Sequence, residues 1–146
     1  MAIVIKPGEV GIPFPCAAEA ILRGYIYKLS GGQMTKITTV TDTPAGIAVS
    51  KSVDADGDAK TMTANEMFNF YSLGCGLIVE VAFDASKSLT RGCAVYTCQS
   101  AGTDGTADPN SANSAVKIGH YYGPDVTTSS TAGTCYPVIL DVANAS

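Results

Sequence analysis

At 146 residues, 46% of them hydrophobic and 15% charged, the chain has enough apolar material for one core of its own. A domain of this length buries roughly 70% of its unfolded surface without metal or disulfide support. A net charge of −4 with no basic run excludes the usual nucleic-acid binder, whose affinity comes from Lys and Arg on phosphates, and no apolar run is long enough for a membrane span.

Residues 1 to 15 carry Pro7, Pro13 and Pro15 with two glycines, a composition that predicts an extended N-terminal arm outside a single β domain over residues 16 to 146. The opening Met1–Ile5 stretch is too short and lacks the basic start of a signal peptide, so no export is expected. Cys16 to Leu22, with Ala17, Ala18, Glu19 and Ala20, predicts one short helix ended by Gly24. Beyond it the chain reads as short β-branched or aromatic strands between turn residues: Ile37–Val40, Gly46–Val49, Phe68–Tyr71, Leu77–Phe83, Cys93–Cys98 and Val138–Val142. Residues 100 to 114 and 123 to 133, rich in Ser, Thr, Gly, Asp and Asn, read as long surface loops.

One phrase occurs twice. Leu22-Arg23-Gly24-Tyr25-Ile26-Tyr27 and Leu89-Thr90-Arg91-Gly92-Cys93-Ala94-Val95-Tyr96 each read as a glycine-led turn into a strand. Each is followed by a small-residue turn, Gly31-Gly32 or Ala101-Gly102, and then by a glycine beside an apolar residue, at Gly46-Ile47 and Ile118-Gly119. The recurrence predicts an all-β fold, a small barrel or sandwich built from two similar β-units that close on each other. Gly24, Gly46, Gly74, Gly76, Gly92 and Gly119 are its expected turn and close-approach glycines.

Motifs for chemistry are sparse. The five cysteines (Cys16, Cys75, Cys93, Cys98, Cys135) are odd in number and contain no Cys-x-x-Cys, so they suit buried thiols better than a zinc site. Burial fits Cys75, between two glycines; Cys16 and Cys135, beside prolines, are the two expected to be reachable. Asp54-Ala55-Asp56-Gly57-Asp58 has the acidic start of a calcium loop but lacks its glycine at Ala59 and its glutamate at Asn65, and reads as a hairpin turn. Gly74-Cys75-Gly76 lacks the rest of a phosphate loop. His120 is the single histidine, so acid–base chemistry depends on it, for instance paired with Cys135, and no nucleophile motif supports such a pair. Asn144-Ala145-Ser146 is formally a glycosylation sequon. The reading is of a non-enzyme without metal or cofactor.

The order Ala17-Ala18-Glu19-Ala20-Ile21-Leu22-Arg23-Gly24, Thr43-Pro44-Ala45-Gly46-Ile47-Ala48, Leu73-Gly74-Cys75-Gly76, Leu89 to Tyr96, Ile118-Gly119 and Val138-Ile139-Leu140 resembles the capsid cement or decoration proteins of tailed bacteriophages and related viruses. The resemblance spans residues 16 to 142. The proline-bearing arm and the five cysteines depart from it. It implies a β-barrel or β-tulip-like protein, often a homotrimer, made in the host cytoplasm and seated on the outer surface of the virion head, where it clamps major capsid protein subunits. Ile3, Val4, Ile5, Pro7, Pro13 and Phe14 would then be the capsid-contact arm, adding a strand to a neighbour's sheet edge. Because a virion passes from reducing to oxidising surroundings, Cys16 and Cys135 become candidates for an interchain disulfide closed after docking. Two other readings stay open: a carbohydrate-binding or host-surface adhesion module using Tyr25, Tyr27, Tyr121 and Tyr122, and an intracellular hydrolase or redox protein using a reactive cysteine.

Overall fold

The computed structural model describes residues 11–98 and 104–141. Among them the chain forms twelve strands and no helix: β1 (Ile12–Pro15), β2 (Ile26–Ser30), β3 (Gln33–Lys36), β4 (Gly46–Ala48), β5 (Met67–Ser72), β6 (Ile78–Phe83), β7 (Ser88–Leu89), β8 (Ala94–Thr97), β9 (Ala107–Asp108), β10 (Lys117–Tyr121), β11 (Val126–Thr127) and β12 (Thr134–Leu140). The fold is all-β, as the short β-branched runs predict. β1 to β5 make a five-stranded sheet in the order β1-β5-β4-β2-β3. β6, β12, β10, β8 and β9 make a closed barrel, and β7 pairs with β11 beside it.

The two sheets share one pairing scheme. Ile26 faces Ile47, which faces Tyr71; Ala94 faces His120, which faces Ile139. β5 continues to β1 as β12 continues to β6, with Pro15 opposite Met67 where Ala82 stands opposite Cys135. A parallel contact returns each set on itself: Phe83 with Ala107 closes the barrel, and an isolated bridge from Cys16 to Met34 holds the corresponding edges of the first sheet. The repeated phrase supplies the same turn in both. The N–H of Tyr25 donates to the Leu22 carbonyl and that of Cys93 to Thr90, with Gly24 and Gly92 at φ +79° and +85°. The N–H of Gly24 donates to Ala48 and that of Gly92 to Tyr121. The two copies of the phrase thus occupy matching positions in two different sheets rather than one shared sheet.

The interiors correspond position by position, with sizes exchanged. Cys16, Ile21, Tyr27, Met34, Ala48 and Phe70 fill the first unit. Phe83, Leu89, Val95, Ala107, Tyr121 and Val138 fill the matching places in the second. Ile26, Ile37 and Ile47, on the outside of the first unit, belong to the second unit's cluster together with Tyr71 and Leu73. The outer face of one unit is therefore core for the pair, burial worth about 1.5–3 kcal/mol for each large aliphatic side chain.

Four expectations change. Residues 16–22 are not helical: one or two turns are too short to be stable alone, and tertiary bonds claim the segment. The Cys16 N–H donates to Glu66, Ala20 bridges to Thr61, and the Glu19 carboxylate accepts from Thr35 Oγ1 and the Lys36 N–H. The strand expected at Ile37–Val40 is instead β3, four residues earlier. Gly31 and Gly32, both at positive φ (+58° and +80°), make a two-residue turn that pairs Ser30 directly with Gln33, while Thr38 and Thr39 donate to Asp42 in a loop. The arm boundary at residue 15 moves, because Ile12–Pro15 is a strand of the sheet and Phe14 packs on the Phe70 cluster. The two segments read as long loops contain β9 and β11 within them. Residues 1–10, 99–103 and 142–146, with Val142 and the sequon, lie outside the described residues.

Gly24 and Gly92 have the same backbone but different surroundings. A Cβ on Gly24 would lie 2.6 Å from Cys135 Sγ and 3.0 Å from the Ala82 nitrogen, whereas one on Gly92 meets nothing within 4 Å. Gly92→Ala should therefore cost about 1–2 kcal/mol for the left-handed backbone alone, and Gly24→Ala about 1–3 kcal/mol more for the added overlap. Urea unfolding of the two variants measures the difference; equal losses would contradict the close seating of the Gly24 turn.

Candidate functional site

Two polar clusters among the described side chains lie in the second unit. Lys87, just before β7, places Nζ 3.2 Å from Asp108 Oδ2 on β9 and 3.5 Å from Asp84 Oδ2 after β6. Both carboxylates are nearly inaccessible. Burial by itself would lower the Lys87 ammonium, but the hydrogen bond and charge of Asp108, with Asp84 behind it, outweigh that and raise it above its ordinary value. Asp84, Cys98 and Asp108 bring ligand atoms within 4.8 Å of one another, a spacing a cation could use. The cation held there is the Lys87 ammonium, so the group reads as a buried ion-pair junction. Sequence reading missed it because its members are scattered and only the barrel closure joins them.

His120, in mid-β10, sits 2.8 Å through Nδ1 from Asp141 Oδ1, and Lys117 Nζ is 3.1 Å from the other oxygen of Asp141. Among the described residues Asp141 is the only hydrogen-bond partner of the imidazole. Cys135 lies elsewhere on β12, opposite Ala82, with Sγ toward the carbonyls of Arg23 (3.7 Å) and Gly133 (3.9 Å). The contemplated Cys135–His120 pair is therefore not formed. Burial raises the Cys135 thiol, with the Arg23 charge opposing, so it is held as a thiol rather than a nucleophilic thiolate.

The other cysteines correct the expectations as well. Cys16 is fully buried and pushed up to about 11 by that burial, with Glu19 and Glu66 adding to it. It fills the place that Phe83 takes in the second unit, so it cannot reach another chain without unfolding the first. Cys75, expected to be buried, is the exposed one; Cys98 is buried and Cys93 and Cys135 are half-buried. Cys75 stands between Gly74 and Gly76, both at positive φ, in the turn that joins the two units. Proline neighbours misled the reading at Cys16 because Pro15 belongs to a strand, not to a flexible arm.

The acidic pentapeptide is a hairpin turn. Asp54 Oδ1 accepts from the N–H groups of Asp56 and Asp58, and Val53 bridges to Ala59. Tyr27 and Tyr121 are buried. Tyr25 lies under Lys36, with its hydroxyl beside Gly133. Tyr122 is 47% exposed, with the Arg91 guanidinium over its ring. Gly46 and Gly119 act by close approach: a Cβ on either would overlap backbone of the adjoining strand, Tyr71 or Ile139. Pro13 and Phe14 lie in β1, opposite Asn69 and Phe68; Ile3, Val4, Ile5 and Pro7 fall outside the described residues.

The large exposed apolar side chains include Leu29 and Met67 on the first unit and Leu77, Ile78, Tyr122 and Val126 on the second. Ile78 adjoins Ile139, which adjoins His120 and then Ala94, so a mostly apolar band crosses the barrel exterior. Exposed apolar surface of this kind suits contact with another surface. No family model, curated protein or solved structure matches the chain.

Two outcomes follow. A thiol reagent on native protein should label Cys75 first, with Cys16 and Cys98 reacting only on unfolding; mass spectrometry after brief labelling checks the order. Asp42 is held down to about 2 by the N–H of Thr38 first, then by Lys28 and Thr39, against an opposing effect of burial. A depressed carboxylate stabilises the fold above its unfolded pKa and loses that contribution as pH falls from about 4 toward 2. Asp42→Asn should thus lower stability at pH 7 by roughly 1–2 kcal/mol and flatten the acid side of the stability profile, read by denaturant titration at several pH values.

Proposed function

We propose that this chain is a non-enzymatic capsid decoration protein of the tailed-phage kind, binding the outer surface of the virion head and stabilising contacts between major capsid subunits. The observation that carries the proposal is a two-unit β body of low charge with exposed apolar residues on both units, Leu29 and Met67 on one and Leu77, Ile78 and Tyr122 on the other. A bridging part needs contact surface on more than one side, and many modest contacts suffice when many copies act on one lattice. Binding only to the mature shell stabilises that shell by mass action.

The N-terminal segment supports the same use. Ile3, Val4 and Ile5 precede β1, which pairs with β5 on one side, so the chain enters the body along a sheet edge. Pro13 and Pro15 supply no N–H there, which disfavours uncontrolled strand pairing on β1 itself and leaves augmentation to the residues before it. The carbohydrate-module alternative has less support. Of its four tyrosines, two are buried and one is packed beneath Lys36.

Cosedimentation with expanded and unexpanded heads tests the proposal. The protein should pellet with expanded heads only, and equal binding to both or to neither would end it. Removing residues 1–10 should leave cooperative unfolding intact while weakening shell binding at least tenfold. Removing residues 1–15 should also destabilise the first unit, because it takes β1 and Phe14.

A further inference from the structure

The contact between the two units defines a pair of complementary surfaces, and each surface recurs at the other end of the chain with no counterpart seated on it among the described residues. On the first unit, the donor surface is the Gly24 turn with the Ile26–Ile47–Tyr71 row. Its counterparts on the second unit are the Gly92 turn and the Ala94–His120–Ile139 row. On the second unit, the acceptor surface is defined by its bonds. The Ala82 N–H donates to the Gly24 carbonyl, Gly105 accepts from the Ile26 N–H, Thr97 Oγ1 donates to the Val40 carbonyl, and Cys135 lies against Gly24. Register assigns their first-unit counterparts: Pro15 for Ala82 and Met67 for Cys135, and Leu29 for Thr97, with Gly32 for Gly105 two residues before the partner strand residue.

The surroundings differ as they should if one contact is filled and the other open. Ile26 and Ile47 are fully buried, whereas the His120 side chain is 37% exposed. A Cβ on Gly105 would collide with Lys36 and Tyr25, but one on Gly32 or Gly92 meets nothing within 4 Å. Leu29 and Met67, at the first unit's acceptor end, are more than half exposed. Two substitutions make the vacant pair weaker than the filled one. Pro15 cannot donate as Ala82 does, and His120 and Asp141 replace the apolar Ile47 and Leu73, giving a wetter face.

We propose that the chain self-associates head to tail, the Gly92 turn and Ala94–His120–Ile139 face of one copy seating on the Leu29, Gly32, Pro15 and Met67 end of the next. Such a contact is heterologous, so it runs on from copy to copy or closes into a ring. The inference stands on the inter-unit geometry alone. Its test uses purified protein without heads, so its failure leaves the shell-binding proposal standing.

Analytical ultracentrifugation across a hundredfold concentration range tests it. The wild-type chain should gain mass with concentration; Met67→Arg on one end and Ala94→Arg on the other should each stay monomeric over that range, with Ile139→Arg as a second variant of the Ala94 face should Ala94→Arg fail to fold. An equimolar mixture of the Met67→Arg and Ala94→Arg chains retains one intact end of each kind and should form a dimer and nothing larger. A wild-type chain that stays monomeric, association that survives both variants, or a mixture that forms no dimer would each overturn the proposal.

Discussion

The seating of the Gly24 turn against the second unit is the contact on which the rest of the molecule depends. Gly24 accepts from the Ala82 N–H at 2.9 Å and approaches Cys135 so closely that no side chain fits. Around it the Ile26–Ile47 face becomes interior. Neither five-stranded unit has many residues with which to exclude water from its own core, and small domains bury a smaller fraction of their surface. Joining the outside of one to the barrel of the other makes one larger core from two marginal ones. The same contact fixes which faces stay outward, and so sets what the protein can offer to a partner.

Much of this was legible in the sequence, and the repeat most of all. The glycine-led turns at Gly24 and Gly92 and the later glycines at Gly46 and Gly119 carry the duplicated scheme, because those positions need a left-handed backbone or a close strand approach that few other residues allow. The interiors gave no such signal. Cys16 and Phe83, Tyr27 and Val95, or Ala48 and Tyr121 share positions without sharing size, so the match between the units is invisible until the registers are compared. Local propensity also misplaced two elements. The alanines after Cys16 favour helix, yet long-range bonds to Glu66, Thr61 and Thr35 decide their course, and Ile37–Val40 has strand composition, yet a two-residue turn at Gly31-Gly32 uses up the pairing before it arrives.

The polar groups followed a different logic. His120 is the single histidine, but its company, Asp141 and Lys117, comes from the residue just past β12 and from β10 itself. The Lys87 junction with Asp84 and Asp108 was not legible at all, since Asp84 follows β6 and Asp108 ends β9, two strands joined only by the parallel closure of the barrel. Both clusters are ion pairs made at the cost of desolvation, and removing one partner from a buried set leaves an uncompensated charge. The exposed apolar residues are what the outside world meets.

The exchange of side-chain size between the two interiors bears on how the chain avoids misassembly. Tandem units with the same strand order invite trading of strands between neighbours while the chain is still folding. Were β5 to enter the barrel in place of β12, Phe70 would arrive where Val138 fits, against a Tyr121 that stands where β4 offers Ala48. The reverse exchange would leave a void in the first unit beside Ala48. Overpacking in one direction and a cavity in the other each cost about 1–5 kcal/mol. The size mismatch therefore serves as a proofreading key, admitting each strand only to its own half.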